Sequence, residues 1–578
     1  MSAVLGISAY FHDSSACLVV DGTITAAIAE ERLSRVKHDA SFPKLSIDFC
    51  LEKSNLTISE VDEVVFFEKP LTKFERILES YLKVSPTGFL PFQKAVKSWL
   101  KEKLWVEDTF RRNYGYKGIV SYCQHHMAHA ANAAYQSGFE DACYLIIDGV
   151  GEKACTSFGT FENGVLTPHK EQYYPHSIGL LYSAFTYYCG FKVNSGEYKL
   201  MGLAPYGTPK YVATIEKNIV TQQDDASIHL NLDYFSFHKG LKMINSKFEN
   251  LFGHPARSEG DEMTTFYKDI AASIQVVTES LVMRTINHVL KATNKSSLIY
   301  GGGVALNCVL NGKIKEQTTC ENVFIHSSSG DSGCAIGAAL WAYGLENSSF
   351  KSTDNLEFTG PCFSNDEIHQ SIRSFSNLVA HQYEYSELYK KTAQYLNDGK
   401  VVGWFQDAME MGPRALGNRS ILAHPGIENM KQILNVKIKK REGFRPFAPV
   451  ILDHAFDDYF ENGEVDYSKM LYTTSAKIKA PEITASVHED NSARVQKLRH
   501  HDNPHLYQLL SAFNKVSGFP ILINTSLNER GEPIVCSPLD AIYCFLNTEM
   551  DVLVMGNFLM VKTENQGVNF KKRGYEMD

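Results

Sequence analysis

Apolar and polar positions fall into blocks that read as two copies of one grammar. Residues 3–8 (AVLGIS) and 15–20 (SACLVV) are near-continuous apolar runs that predict buried strands, joined by the polar loop Ala9-Tyr10-Phe11-His12-Asp13-Ser14. Asp21-Gly22 is a hairpin signal, and TITAAIAEE predicts a third strand after it. Near residue 144 the order returns: strand YLIID, loop GVGEKA, strand CTSFGTF, turn Glu162-Asn163-Gly164, strand VLTPHK. Self-similarity at a spacing of about 135–140 residues predicts a duplicated fold. Two unrelated β-meanders in a large α/β protein satisfy the same pattern, so the strands alone leave both open.

Between and after the copies the period changes. Residues 72–104 carry apolar side chains at three- and four-residue spacing, predicting helices; they carry no chemical motif and are candidates to roof a substrate pocket. Residues 176–207 predict an aromatic helix running into a Gly-broken loop from Lys199 through Gly202 to Gly207, where a flat ring or a phosphate can approach the backbone. Residues 208–265 are polar and irregular and read as an insertion. A helix is predicted over roughly 266–292, then a strand that ends in Gly301-Gly302-Gly303 before a new helix near Asn307. Such a junction offers free N–H groups and the positive end of a helix to a ligand. It matches neither a Walker A nor a G-x-G-x-x-G pattern. In the actin/Hsp70/hexokinase architecture, two strand-connecting loops of this kind approach nucleotide phosphates from opposite lobes.

One stretch concentrates the chemistry. His125 and His129 sit four apart on an Ala-rich segment that predicts a helix ended near Gly138, so both imidazoles share a face. Asp148 stands where the strand YLII gives way to Gly149-Val150-Gly151. Asp331 stands at a similar junction, between VFIH and a Gly/Ala-rich helix. Two histidines beside strand-end carboxylates can hold a divalent metal. Two core histidines and ordinary turn aspartates fit this stretch equally well.

Around 345–365 the chain turns rich in Ser, Asn, Gly and Pro, predicting a boundary. Beyond it Arg414, Arg419, Lys439, Arg441 and Arg445 form a cationic set among Gly, Pro and apolar residues, followed by Arg494 and by Asn524-Thr525-Ser526 at the end of the apolar run FPILI. Guanidinium forks beside hydroxyls suit a small phosphate or carboxylate. That set is local, because the whole chain carries a net charge of −9, which argues against general binding to nucleic acid or an anionic membrane. No apolar run is long enough for a membrane span, the N-terminus lacks a signal-peptide pattern, and the 12 cysteines form no C-x-x-C pair. The expectation is a cytoplasmic enzyme with reduced thiols.

Seven motifs now stand in order: FHDSSA, HHMAHA, EYKLMGLAPYG, GGVALN, GPRALGNRSIL, KKREGFRPFAP and NTSLNERGEPIV. Together they resemble the NodU/CmcH-type O-carbamoyltransferases of natural-product and antibiotic biosynthesis, over roughly 3–340 and 365–563. The resemblance implies an α/β protein with an actin-like (ASKHA) duplicated domain over 1–350, related to tRNA threonylcarbamoyl transferases. It also implies a C-terminal α+β YrdC-like domain over 365–578. It implies a relay in which carbamoyl phosphate and ATP give carbamoyl-adenylate, whose carbamoyl group passes to the hydroxyl of a small natural-product acceptor.

By motif, His125, His129, Asp148 and Asp331 would be metal ligands, with Fe2+ favoured over Zn2+ or Mn2+, and Mg2+ would accompany ATP. His12, Lys37 and Asp148 would stand at the reacting centre. His12 would accept the hydroxyl proton, though a structural turn histidine fits that position as well. Lys199, Gly202, Gly302, Gly303 and Asn307 would bind nucleotide. Arg414, Lys439, Arg445, Arg494 and Ser526 would bind carbamoyl phosphate and the ATP phosphates. A tRNA threonylcarbamoyl transferase would account for 1–340 only, and a non-catalytic nucleotide-binding protein of the actin/Hsp70 type would not consume carbamoyl phosphate. The acceptor and the oligomeric state are not legible.

Overall fold

The computed structural model describes residues 1–347, 357–441, 443, 445–477 and 481–575. The chain divides into two compact units: Met1–Glu30 with Asp39–Asp354, and Glu31–His38 with Asn355–Asp578. The expected boundary at 345–365 falls partly on 348–356, outside the described residues.

In the first unit, β1 (Ala3–Ser8), β2 (Ser15–Val20) and β3 (Thr23–Ala29) form an antiparallel meander, with β4 (Glu63–Phe66) and β5 (Ile119–Tyr122) parallel to β1 on its other side. A second sheet repeats that plan. In it β6 (Asp141–Ile147), β7 (Ala154–Glu162) and β8 (Val165–Tyr173) form the meander. A separate hairpin, β9 (Val220–Gln222) with β10 (Ile228–Leu230), interrupts the chain before β11 (Ser297–Gly301) and β12 (Asn322–Ile325) complete the sheet. The orders β3-β2-β1-β4-β5 and β12-β11-β6-β7-β8 are one topology used twice. The duplication is therefore real, and the unrelated-meander alternative falls. β1 and β6 are buried almost throughout, as central strands covered on both faces must be.

Small residues set how closely the covering helices approach. A Cβ on Gly6 of β1 would meet the Ala335 carbonyl at 1.9 Å, and one on Gly337 would meet the Ala128 carbonyl at 1.7 Å. The helix Cys334–Glu346 thus lies against both β1 and the helix His125–Ala134 with no room for a methyl group. Two sequence expectations change here. Residues 197–203, expected as a Gly-broken loop, form a helix, because Leu200, Met201 and Leu203 find a buried face that local pattern did not reveal. Residues 208–265 are not irregular throughout, since they hold the β9–β10 hairpin and the helices Val212–Asn218 and Ser246–Phe252.

The second unit is built on one mixed sheet. Its strands are β13 (His381–Gln382), β14 (Val402–Phe405), β15 (Arg419–Ala423) and β16 (Ala448–Leu452). After a short pair, β17 (Thr474–Ser475) with β18 (Ser492–Ala493), come β19 (Gln496–Leu498), β20 (Ile521–Ser526), β21 (Val552–Met555) and β22 (Phe558–Val561). The order is β13-β22-β21-β14-β15-β20-β16-β19. Ile368 and Ile372 of the helix Asn365–Arg373, and Ile542 and Phe545 of the helix Pro538–Asn547, share a core with Phe405, Ile421 and Ile523 of the sheet. Among the described residues no disulfide forms and no helix is long and apolar enough to cross a membrane.

Candidate active site

Four side chains converge in the first unit. The helix His125–Ala134 presents His125 and His129 on one face, β6 delivers Asp148 at its end, and Asp331 lies just before the helix Cys334–Glu346. His125 Nε2 lies 3.2 Å from His129 Nε2, 3.4 Å from Asp148 Oδ2 and 3.9 Å from Asp331 Oδ1, and His129 Nε2 lies 3.6 Å from Asp331 Oδ1. All four are buried. Asp331 Oδ2 accepts no hydrogen bond, but lies 3.7 Å from Nε2 of His12 on the β1–β2 loop, whose Nδ1 is 3.0 Å from Asp13.

This set fits a divalent cation. Two nitrogens bound to one ion at about 2.1 Å stand about 3.0–3.4 Å apart for angles between square and tetrahedral, and the imidazoles already show that spacing. Two buried carboxylates with two imidazoles offer the mixed nitrogen and oxygen donors such ions take. His126, the neighbour of His125, turns away, its Nδ1 2.8 Å from Ser157 Oγ.

The electrostatics follow from burial working against close charge. Burial pulls His12 down, but Asp331 and Asp13 outweigh it and raise its pKa to about 9. Burial likewise opposes ionisation of Asp148 and Asp331, yet the imidazoles hold both carboxyls below the usual range, Asp148 the further. Burial lowers His126 to about 3, assisted by His125, so that ring stays neutral.

Three residues that the pattern of the chain did not flag build the surroundings. Glu152 accepts the backbone N–H of His125 at 2.9 Å and that of Lys69 at 2.8 Å, closing the N-terminus of the histidine helix with a carboxylate. Its only signal was a carboxylate in the Gly-rich loop beyond Asp148. Cys334 places Sγ 3.4 Å from His129 Nδ1. Phe67 meets the His125 ring edge-on, with centroids 5.3 Å apart.

The residues expected to bind nucleotide lie close by in part. Gly303 N–H donates to Asp148 Oδ1 at 3.1 Å, and a Cβ there would stand 2.9 Å from that oxygen. Gly302 has φ +88° and a Cβ would meet the Ile147 carbonyl at 2.3 Å, so glycine is required. Asn307 caps the helix Cys308–Gly312 and pairs with Gln275 in both directions, at 3.1 and 3.2 Å. Lys199 and Gly202 ride on the helix Glu197–Leu203, joined to the Asn307 helix where Met201 Sδ lies 3.9 Å from Cys308 Sγ. Among the described residues, nothing beyond its chain neighbours and its own helix backbone lies within 4 Å of a Cβ built on Gly202.

In the second unit, register brings the cationic set to one sheet edge. Ser420 faces Ser526 across β15 and β20, Ala448 faces Asn524 across β16 and β20, and β19 runs parallel to β16. The N-terminal ends of β15, β16 and β19, which follow Arg414, Arg445 and Arg494, therefore share an edge with Ser526 at the C-terminal end of β20. Lys439 joins them. Its Nζ donates to the Ser526 carbonyl, to Ser526 Oγ at 3.2 Å, and to the Asn528 carbonyl and Oδ1 at 3.0 and 2.7 Å. Burial, joined by the charge of Arg441 and more weakly that of Lys37, lowers Lys439 to about 7. Lys37 itself groups with this second unit.

Arg419 has a different task from its neighbours. Its fully buried guanidinium donates to the carbonyls of Pro361, Gln406, Asp407 and Asn418 and lies 3.7 Å over the Phe405 ring. It holds the loop together, and its full burial among these carbonyls sets it apart from a phosphate-binding role. Glu410, another residue the sequence did not single out, accepts the backbone N–H groups of Leu416, Asn418 and Arg419 on one oxygen at 2.9, 2.8 and 3.2 Å.

Comparison with known proteins adds an independent finding. Residues 3–340 match the family model described as the carbamoyltransferase N-terminus, and residues 393–562 match that of the carbamoyltransferase C-terminus. An uncharacterized protein of Synechocystis is 45% identical over 597 residues, covering 97% of each chain. Nodulation protein NolNO of Sinorhizobium fredii is 32% identical over 96% of this chain and 79% of its own. The 3'-hydroxymethylcephem-O-carbamoyltransferase of Amycolatopsis lactamdurans is 33% identical over 45% of this chain and 48% of its own. Among solved structures, component A of the Acidaminococcus fermentans (R)-2-hydroxyglutaryl-CoA dehydratase aligns with 60% of this chain and 99% of its own, at 16% identity and a TM-score of 0.34.

Proposed function

This chain belongs to the carbamoyltransferase family of the NodU and cephem O-carbamoyltransferase type, and from that premise we propose that it carbamoylates a hydroxyl of a small natural-product acceptor at the expense of ATP. The observation that carries the reading is the meeting of His125, His129 and Asp331, with Asp148 beside His125 and His12 on the other oxygen of Asp331.

The scheme assigns activation to the second unit, read as the YrdC-like part. Carbamoyl phosphate is hydrolysed to carbamate, a carbamate oxygen attacks the α-phosphorus of ATP, and pyrophosphate leaves. Arg414, Arg445, Arg494, Lys439 and Ser526 supply positioned positive charge and hydroxyl donors for the phosphates, which is the main demand of phosphoryl chemistry. The first unit, read as actin-like, holds the adenylate with Lys199, Gly202, Gly302, Gly303 and Asn307. There the acceptor oxygen attacks the carbamoyl carbon and AMP departs.

His125, His129, Asp148 and Asp331 would hold a divalent metal, Fe2+ by analogy. Bound there, it would supply Lewis-acid polarisation of the carbamoyl oxygen or of the phosphate. His12, beside Asp331, is the residue assigned in this scheme to take the acceptor proton. The charge of Asp331 keeps it protonated at neutral pH, so it acts as a base only when that carboxylate is engaged elsewhere.

The test is pyrophosphate release from ATP that depends on carbamoyl phosphate, run alongside AMP release that depends on added hydroxyl compounds. His129→Ala should abolish the second and leave the first nearly intact. Absence of carbamoyl-phosphate-dependent pyrophosphate from folded, metal-supplied protein would sink the adenylate scheme, and equal loss of both steps in His129→Ala would sink the division of labour.

A further inference from the structure

Resting on the metal reading above, we propose that Cys334 is the positioning residue of one ligand, holding the His129 ring so that Nε2 faces His125 and Asp331. The two nitrogens of His129 look in opposite directions. Nε2 points to His125 Nε2 at 3.2 Å and to Asp331 Oδ1 at 3.6 Å, while Nδ1 points to Cys334 Sγ at 3.4 Å. His125 is held otherwise. Its Nδ1 is buried with no hydrogen-bond partner, and its ring is wedged by Phe67 and by Gly151, where even a Cβ would come within 2.9 Å. One imidazole is thus fixed by shape and the other by a directed contact.

The thiol is placed rigidly enough for the task. Cys334 is fully buried and opens a helix clamped against the histidine helix at Gly337, so its backbone is held at a fixed distance from His129 and its Sγ packs in a closed interior. A histidine that ligates through Nε2 must carry its proton on Nδ1, and that N–H ordinarily donates to a carboxylate, a carbonyl or water. A thiol sulfur is a weaker acceptor than any of these. With the proton on Nδ1, as ligation through Nε2 requires, the Cys334 sulfur takes that N–H as a weak acceptor and pushes little electron density into the ring. His129 stays a modest donor, and an ion held by it stays a stronger electrophile.

The experiment uses the full chain stripped of metal and titrated with Co(II), comparing the parent with Cys334→Ala and Cys334→Ser, with circular dichroism confirming the fold of each. Cys334→Ala should weaken Co(II) binding up to about 10-fold, the low end of what losing a histidine's outer partner costs, because a thiol is a weaker acceptor than a carboxylate or carbonyl. Cys334→Ser, which keeps a polar acceptor in a similar volume, should bind more tightly than the alanine variant. Equal affinity of parent and alanine variant would overturn the assignment, as would a serine variant no tighter than alanine. A thiolate-to-cobalt charge-transfer band in the parent would overturn it too, by making Cys334 itself a ligand. Failure of the parent to bind Co(II) at all is a separate outcome, which overturns the metal reading beneath it.

Discussion

Glu152 accepts the backbone N–H of His125 through both carboxylate oxygens, at 2.9 and 3.2 Å. The same side chain accepts from Lys69, so a buried carboxylate ties the start of the histidine helix to the chain just before the helix Pro70–Val84. Hydrogen bonds to charged groups contribute about 1.5–3 kcal/mol, and stranding buried donors costs more than losing the contact alone. Glu152→Ala should lower unfolding free energy by about 2–4 kcal/mol and weaken metal binding, with Glu152→Gln between it and the parent. Denaturant titration and a Co(II) titration check both, and an alanine variant equal to the parent in both would refute the tie.

Gly337 and Gly202 should respond in opposite ways to the same change. At Gly337 the added methyl meets the Ala128 carbonyl at 1.7 Å, backbone that cannot yield, so Gly337→Ala should destabilise by at least about 3 kcal/mol or prevent folding. At Gly202 the methyl meets nothing, and within the helix Glu197–Leu203 alanine should stabilise by about 0.5–1 kcal/mol. If that open space is where nucleotide lies, Gly202→Ala should nonetheless weaken ATP binding. Thermal unfolding with nucleotide titration separates the two effects.

Glu410 organises the loop that carries Arg414. Three N–H groups end on one of its oxygens, and its side chain is buried. Glu410→Ala should cost about 1–3 kcal/mol of stability and raise KM for carbamoyl phosphate more than it lowers kcat. Glu410→Gln keeps a carbonyl oxygen for the same donors and should recover most of the KM. A glutamine variant as impaired as alanine would mean that charge, not loop geometry, is what Glu410 supplies.

Lys439 should make phosphate binding depend on pH. Burial takes it from an ordinary 10.5 to about 7, although four oxygens around Nζ still suit an ammonium. The folded pKa lies below the unfolded one, so the unfolded chain binds more protons between about 7 and 10.5, and this group adds stability as pH rises through that window. An arriving phosphate favours the charged form, so binding of carbamoyl phosphate should take up a proton near pH 7 and weaken as pH rises above it. Calorimetry in two buffers of different ionisation enthalpy measures the uptake, and Lys439→Met should remove it. Uptake unchanged in that variant would assign the proton to another group.

Much of the chain was legible from local pattern. β1 and β2 span the predicted 3–8 and 15–20, the long helix occupies Thr265–Thr293, and the repeated strand grammar corresponds to a repeated sheet topology. One-turn spacing was enough to put His125 and His129 on a common face, because helical geometry is set by neighbours along the chain. What depended on partners distant in sequence stayed hidden. Nothing local distinguishes Arg419, sealed among carbonyls at the start of β15, from Arg414 five residues earlier in the loop before it. Nothing local marks residues 31–38 as part of the second unit, where Arg35 bonds Glu532 and the Pro533 carbonyl.

The sequence by itself determined the periodicities, the glycine junctions and the inventory of imidazoles, carboxylates and guanidinium groups, since each depends on residue type and on spacing of a few positions. Tertiary structure alone decided which of those groups meet. Asp331 reaches His129, Cys334 reaches the same ring from behind, and Lys439 reaches Ser526, each across tens to hundreds of residues. Those meetings come from sheet register and helix packing, whose energy is summed over whole buried faces and is written in no short stretch of chain.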